Sequence, residues 1–302
     1  MPQPRPFTVQ YIFQDQWGVG GRNLLILLAI YFGGLGGGMY LVSASSGYIH
    51  GALSGLLVAA IGKGLSHVFF LGRPERFWRA VARPGSSWIS RGFLILVVFV
   101  ITGSAYVLPS YPAFQWLPWA SEGWFGEVLL WLSTLAAVLL IAYTGFLMNR
   151  SAIPFWNNFL LPIVFAVASL YSGAALSDLL QGFIPQAGAN EDLIRQFEIW
   201  GGVAVLALLL LYFWGSYYSF NLASQQAVRS LALNRAGAWF FYGLFLVVGL
   251  SFPIVVFIMY TYTFAGTGEA LLIMTAQVVE VLIGGTLIRY IFFRSGVFMP
   301  VY

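Results

Sequence analysis

The sequence has no cysteine, a single lysine (Lys63) and two histidines (His50 and His67) in 302 residues. Without cysteine the chain forms no disulfide and offers no thiolate to zinc or to an iron–sulfur cluster. Charge is scarce as well, at 8% of residues, where a soluble domain carries roughly a quarter. That scarcity excludes a water-soluble enzyme and a disordered tail. With a net charge of only +4 it excludes a nucleic-acid binder too. What the chain has instead is 60% hydrophobic and 18% aromatic residues, with mean hydropathy +0.83. Such a composition belongs to an all-α integral membrane protein that crosses the lipid bilayer several times.

A hydrocarbon core of about 30 Å takes ~20 apolar residues per helix. Eight segments meet that length, near 23–46, 51–71, 91–109, 125–148, 154–177, 200–219, 237–261 and 270–293. The fifth carries Pro162 and the seventh Pro253, which membrane helices tolerate when neighbours satisfy the freed carbonyls. The first holds the run Phe32-Gly33-Gly34-Leu35-Gly36-Gly37-Gly38, a smooth surface for close helix packing or for a ligand. The stretch 1–22 is a polar segment, rich in Pro and Gly, with no cleavable leader expected in it. Residues 23–148 and 149–302 are expected to form two four-helix bundles.

Eight crossings put both termini on one face. Twelve arginines then fall on that face and only Arg195 on the other, whereas seven of the ten acids take the opposite side. The positive-inside rule makes the terminal face cytoplasmic, in a prokaryotic cytoplasmic membrane. The longest loops, roughly 110–124 and 178–199, are too small for a catalytic domain and carry Trp116, Trp119, Trp124 and Trp200 for the interface.

Ionisable residues at membrane depth are functional candidates. Lys63 lies in the second span and His67 follows it at i+4, on the same helix face. Tyr143 sits a similar distance inside Arg150, and Arg22 and Asn23 open the first span at that level. The set suits a neutral carbonyl ligand such as a quinone, whose oxygens take hydrogen-bond donors and whose chemistry exchanges protons. Each residue also has a structural reading: an interhelical hydrogen bond for His67, snorkelling for Lys63. Glu280 lies near the midplane of the last span, either protonated and structural or a step in a proton path. Asp178 and Glu127 end spans on the acidic side, as wetted termini or as proton inlets. His50 and His67 are seventeen residues apart on one helix, about 25 Å, so they do not flank one haem iron, and no metal motif remains.

Phe70-Leu71-Gly72-Arg73-Pro74-Glu75-Arg76-Phe77-Trp78-Arg79-Ala80, followed by Arg83-Pro84-Gly85-Ser86-Ser87-Trp88-Ile89-Ser90-Arg91-Gly92, joins the second and third spans. Its Arg73, Arg76, Arg79, Arg83 and Arg91 suit lipid headgroups or an acidic docking partner. This 72–91 loop, with the eight-span plan, the glycine run and Tyr143-Thr144-Gly145, resembles the NrfD/polysulfide reductase membrane-subunit family. The resemblance implies a quinone-reactive anchor using menaquinone or ubiquinone, with no haem or iron–sulfur cluster of its own. It implies a ferredoxin-like iron–sulfur subunit as partner, and a molybdenum or tungsten bis-pterin catalytic subunit beyond it. The quinone pocket is then expected among the first four spans, with Tyr143 matching the family's tyrosine late in the fourth. Under this reading Tyr143, His67 and Asn23 hydrogen-bond the quinone, Lys63 biases its charge, and Glu280 and Asp178 carry protons. The competing class is a secondary transporter, with Lys63 and Glu280 binding an ion or anion at mid-membrane.

Overall fold

The computed structural model describes residues 10–11, 23–71, 73–232, 238–259 and 270–298. In chain order the helices are α1 (Asn23–Ser45), α2 (Ile49–Phe70), α3 (Trp88–Val107), α4 (Trp124–Asn149), α5 (Leu160–Phe183) and α6 (Glu191–Tyr217). Then come a short amphipathic helix, α7 (Leu222–Ala232), and α8, which is π-type over Trp239–Ser251 and α-type over Phe252–Met259. The last is α9 (Ala270–Arg294). Among the described residues, α1 to α6 and α9, seven in all, are long and apolar enough to cross a membrane.

The glycine run makes α1 the hub. A Cβ on Gly36 would stand 2.5 Å from the Ala59 nitrogen of α2, and one on Gly37 would stand 2.8 Å from Ile141 of α4. Gly38 faces the Ser169 carbonyl of α5, and Gly173 of α5 faces the Met39 backbone in return. The α1 backbone is thus met on three sides, by the backbones of α2 and α5 and by the Ile141 side chain of α4, and dispersion contacts replace the hydrophobic effect that lipid cannot supply. α1 packs on α2, α4, α5 and α9, and α5 packs on α1, α4, α6 and α9. Accordingly 72% and 67% of the apolar windows of α1 and α5 are buried, against 22–39% in the other five spanning helices. The remaining apolar side chains gather in two main clusters. One is built on Tyr40, Leu56, Phe99 and Leu140, the other on Phe155, Phe165, Tyr212 and Phe292.

Gln10 and Tyr11 pair antiparallel with Phe298 and Val297, so the two ends of the chain meet. We call that side the terminal face and the side of the α1–α2, α3–α4 and α5–α6 connections the distal face.

Three boundaries differ from the sequence expectation. α5 begins at Leu160 rather than 154, after an irregular stretch in which Asn158 Oδ1 accepts from the Leu160 N–H at 3.0 Å. Pro162 therefore sits in the first turn, where its missing N–H is not needed, and not inside the span. α6 begins nine residues earlier than expected, because Asn190 Oδ1 caps the Leu193 N–H at 3.0 Å. The expected 178–199 loop shrinks to 184–190, which places Asp178 and Glu198 inside helices. α3 begins at Trp88, with Ser87 Oγ accepting from the Ser90 N–H at 3.4 Å.

Candidate functional site

Lys63 closes the π-type turn Val58–Lys63 of α2 and is 5% exposed. Its stem lies across Gly33 of α1: a Cβ there would stand 2.8 Å from Lys63 Cδ and 3.2 Å from Nζ. The Nζ is 6.0 Å from the centre of the Tyr143 ring, a cation–π contact with α4. Among the described residues it makes no hydrogen bond and no ion pair. An ammonium at this depth with three donors and only a ring for company is set to receive an acceptor.

Tyr143 itself is already engaged. Its ring lies flat on Gly92 of α3, and its hydroxyl donates to the Trp88 carbonyl at 2.9 Å. The hydroxyl proton is thus used in holding α3. Trp88 in turn stacks against Arg91, at 4.9 Å from its ring, and Arg150, at 5.9 Å. Arg91 also donates to the Pro84 and Gly85 carbonyls at 2.9 and 2.7 Å, which fastens the end of the arginine-rich loop to α3.

His67 is half-buried one turn beyond Lys63, and its Nδ1 lies 3.0 Å from the Lys63 carbonyl. A carbonyl only accepts, so Nδ1 carries the proton and Nε2 of the neutral ring is an acceptor. Asn23 opens α1, half-buried and with an interaction already made. Arg22 lies outside the described residues. Arg73, Arg76, Arg79 and Arg83 are exposed, and no ion pair among the described residues involves them or Arg91.

The acids divide. Glu127 is exposed on the first turn of α4 and joins no cluster. Asp178 is 5% exposed, with Arg195 Nε 3.8 Å from its Oδ1; Arg195 also reaches Glu191 at 3.4 Å. Glu198, three residues along α6, is 3% exposed and accepts from Gln277 Nε2 at 2.6 Å. Glu280 follows Gln277 by one turn of α9, and no ion pair links it to Lys63.

Two residues here escaped the sequence. Glu198 fell in an expected loop. Arg289 read as one more terminal-face arginine, yet it is 1% exposed. It donates to Ser169 Oγ and to the Gly285 carbonyl, both at 2.8 Å, and lies 5.1 Å from the Tyr31 ring. No signal in the sequence marks it; in the structure its guanidinium occupies the space that Gly34 leaves, where a Cβ would be 2.5 Å from Arg289 Nη2.

A separate polar cavity of about 370 Å³ opens between the α4–α5 connection, the end of α6 and the start of α7, lined by Asn157, Asn158, Ser216, Asn221 and Ser224. It takes none of the residues above.

Comparison with known proteins agrees with the resemblance drawn from the loop. The chain is 28% identical over 212 residues to Protein NrfD of Escherichia coli K12, covering 61% of this chain and 63% of that protein. It is 31% identical over 165 residues to one subunit of the sulfite dehydrogenase of Allochromatium vinosum, covering 53% of this chain and 49% of that one. The aligned parts thus span less than two thirds of either relative. The profile of the family described as "Polysulphide reductase, NrfD" matches residues 21–300, and the chain belongs to that family.

Proposed function

We propose that this chain is the quinone-reactive membrane subunit of a respiratory oxidoreductase. It exchanges electrons and protons between the quinone/quinol pool and a ferredoxin-like iron–sulfur subunit on the terminal face. A molybdenum or tungsten bis-pterin subunit beyond that partner would carry the terminal chemistry. The observation that carries the reading is Lys63: a buried cation laid over Gly33, beside an aromatic ring, with its donors unclaimed among the described residues. Membership of the family and the likeness to a sulfite dehydrogenase subunit support it.

The donor set fits a quinone, either menaquinone or ubiquinone. When bound, the quinone supplies the two-electron, two-proton chemistry that this cysteine-free chain lacks. Lys63 Nζ would donate to one carbonyl oxygen and stabilise negative charge gathering there. His67 Nε2, an acceptor in the neutral ring, would take the hydroxyl proton of a quinol, or return it to a carbonyl when protonated. Tyr143 would wall the pocket and hold Trp88; Asn23 and Arg22 would border its mouth. The exposed Arg73, Arg76, Arg79 and Arg83, with Arg91, would meet acidic residues of the iron–sulfur subunit through planar guanidinium forks.

The reading includes eight crossings in two four-helix bundles, α1–α4 and α5, α6, α8 and α9. Two facts support it. Paired chain ends favour an even number of crossings, and α8 is a further apolar helix from 239 to 259. The two main apolar clusters support two bundles. Arginine bias favours a cytoplasmic terminal face.

Binding of 2-heptyl-4-hydroxyquinoline N-oxide, a quinone mimic, to the full chain in nanodiscs tests the site by fluorescence quenching. Lys63→Met is expected to weaken binding about tenfold, the cost of a lost charged hydrogen bond. Unchanged affinity in that variant removes Lys63 from the pocket.

A further inference from the structure

Two helices begin on one cavity. It is the polar cavity of about 370 Å³ at the terminal face, and its lining includes Asn158, just ahead of α5, and Asn221, just ahead of α7. Each asparagine caps its own helix. Asn158 Oδ1 accepts from the Leu160 N–H at 3.0 Å, and Asn221 Oδ1 accepts from the Ala223 and Ser224 N–H groups at 2.9 and 3.3 Å. A backbone N–H pairs only with the amide oxygen, so each cap leaves its NH₂ as a donor, unclaimed among the described residues. The positive dipole ends of α5 and α7 lie behind these two amides.

Two hydroxyls complete the donor set. Ser216, near the end of α6, is 4% exposed and Ser224, in α7, is 5% exposed; both line the cavity. Neither hydroxyl has a hydrogen-bond partner among the described residues, whereas buried polar groups are normally paired. The walls that carry these groups are fixed. Tyr212 of α6 donates to the Phe155 carbonyl in the α4–α5 connection, which ties one wall to the other. In the turn between α6 and α7, Ser219 Oγ donates to the Asn221 carbonyl at 3.2 Å and Gln225 Nε2 donates to the Ser219 carbonyl at 2.7 Å. Donors held this way cost little further ordering when a ligand binds. The surroundings place the cavity at headgroup level. Phe159, next to Asn158, is 74% exposed, and Trp214, Tyr218 and Phe220 around the α6–α7 turn are exposed too, as rings are at the end of a span.

We propose that this cavity binds the phosphate of an anionic phospholipid with a hydroxyl-bearing headgroup, of the phosphatidylglycerol kind. The phosphate oxygens accept from the Asn158 and Asn221 amides and from the Ser216 and Ser224 hydroxyls, and the two helix ends favour their negative charge. The headgroup hydroxyls meet Asn157, which lines the same cavity and is exposed. Among the described residues no carboxylate lines the cavity, so an ammonium headgroup, as in phosphatidylcholine, finds no counter-charge there. The acyl chains lie along the exposed Phe159 and Trp214. Bound in this way, the lipid ties the start of α5 to the α6–α7 turn. The site is separate from Lys63 and does not depend on the quinone reading. Free phosphate shares the recognition chemistry, and the aromatic rim is what favours a lipid as its source.

The test titrates dioleoylphosphatidylglycerol and, separately, dioleoylphosphatidylcholine onto the delipidated full chain in detergent, with native mass spectrometry counting bound lipid. The parent is expected to hold one phosphatidylglycerol about tenfold more tightly than phosphatidylcholine. Asn158→Asp combined with Asn221→Asp keeps both caps, because aspartate caps as well as asparagine, and turns a carboxylate toward the phosphate in place of each NH₂. That variant should weaken phosphatidylglycerol binding about tenfold or more. Asn190→Asp makes the same change at the α6 cap on the distal face and should leave binding as in the parent. Should the double variant fail to fold, Ser216→Ala with Ser224→Ala gives the same comparison. Equal affinity for the two lipids, or phosphatidylglycerol binding that neither combination weakens, overturns the site and leaves the cavity to water. Excess inorganic phosphate forms the last arm and is expected not to displace the lipid. Displacement, with phosphate then raising the unfolding temperature of the parent but not of the double variant, would keep the phosphate site and overturn the lipid as its source.

Discussion

Two cations rest on neighbouring glycines of α1, Lys63 on Gly33 and Arg289 on Gly34, and they are held in opposite ways. Arg289 uses its planar fork on Ser169 and the Gly285 carbonyl and lies on the Tyr31 ring. Lys63 has one ring at 6.0 Å and no hydrogen bond among the described residues. The first joins three helices, α1, α5 and α9; the second leaves its donors to whatever enters beside it. On adjacent glycines of one helix, a guanidinium fixed by hydrogen bonds thus stands beside an ammonium with none among the described residues.

The contrast can be broken most strongly at Arg289. Arg289→Ala removes a fully buried side chain and two of its hydrogen bonds, and is expected to cost about 2–5 kcal/mol, read as an earlier midpoint in detergent-induced unfolding. A midpoint equal to the parent's would make Arg289 a passenger at the junction. Gly34→Ala comes next, because its Cβ would meet Arg289 Nη2 and Ser169 Oγ at 2.5 Å, two atoms bonded to each other. About 1–3 kcal/mol of overpacking is expected. Gly33→Ala meets only the flexible Lys63 stem, so its unfolding midpoint should stay near the parent's, while affinity for the quinone mimic falls as Lys63 shifts. Equal destabilisation by the two alanines would abolish the distinction. Lys63→Met should leave stability unchanged or raise it by about 1 kcal/mol, since a buried charge is replaced by apolar volume. The smallest effect is expected from Arg91→Ala in the first turn of α3, about 0.5 kcal/mol, because its hydrogen bonds to the Pro84 and Gly85 carbonyls face solvent. Its readout is loss of the iron–sulfur polypeptide when the chain is purified through a tag; full retention would take Arg91 out of the docking face.

Much of this was legible in the sequence. Runs of ~20 apolar residues mark spans because lipid admits little else, and the i,i+4 spacing put Lys63 and His67 on one face. The glycine run announced close packing but not its partners, since a glycine does not say which backbone it meets. Glu198 was hidden because Glu191, Asp192 and Arg195 read as a loop, whereas Asn190 caps them into α6 and Arg195 binds their charges. Arg289 was hidden because an arginine five residues before Arg294 reads as an interface residue; only the contacts with Ser169 and Tyr31 reveal its burial. For Tyr143 the level in the fourth span was readable, whereas the hydrogen bond of its hydroxyl to the Trp88 carbonyl was not, because that carbonyl is 55 residues away in the chain.

The hub position of α1 has a consequence for biosynthesis. α1 leaves the ribosome before the other described spans, yet Gly38 meets Ser169 and Gly34 meets Arg289. At ribosomal rates its last neighbour follows roughly 10–50 s later. During that wait the bare glycine face has no protein to cover it, and it is the surface that an insertase or chaperone would have to shield until α5 and α9 arrive.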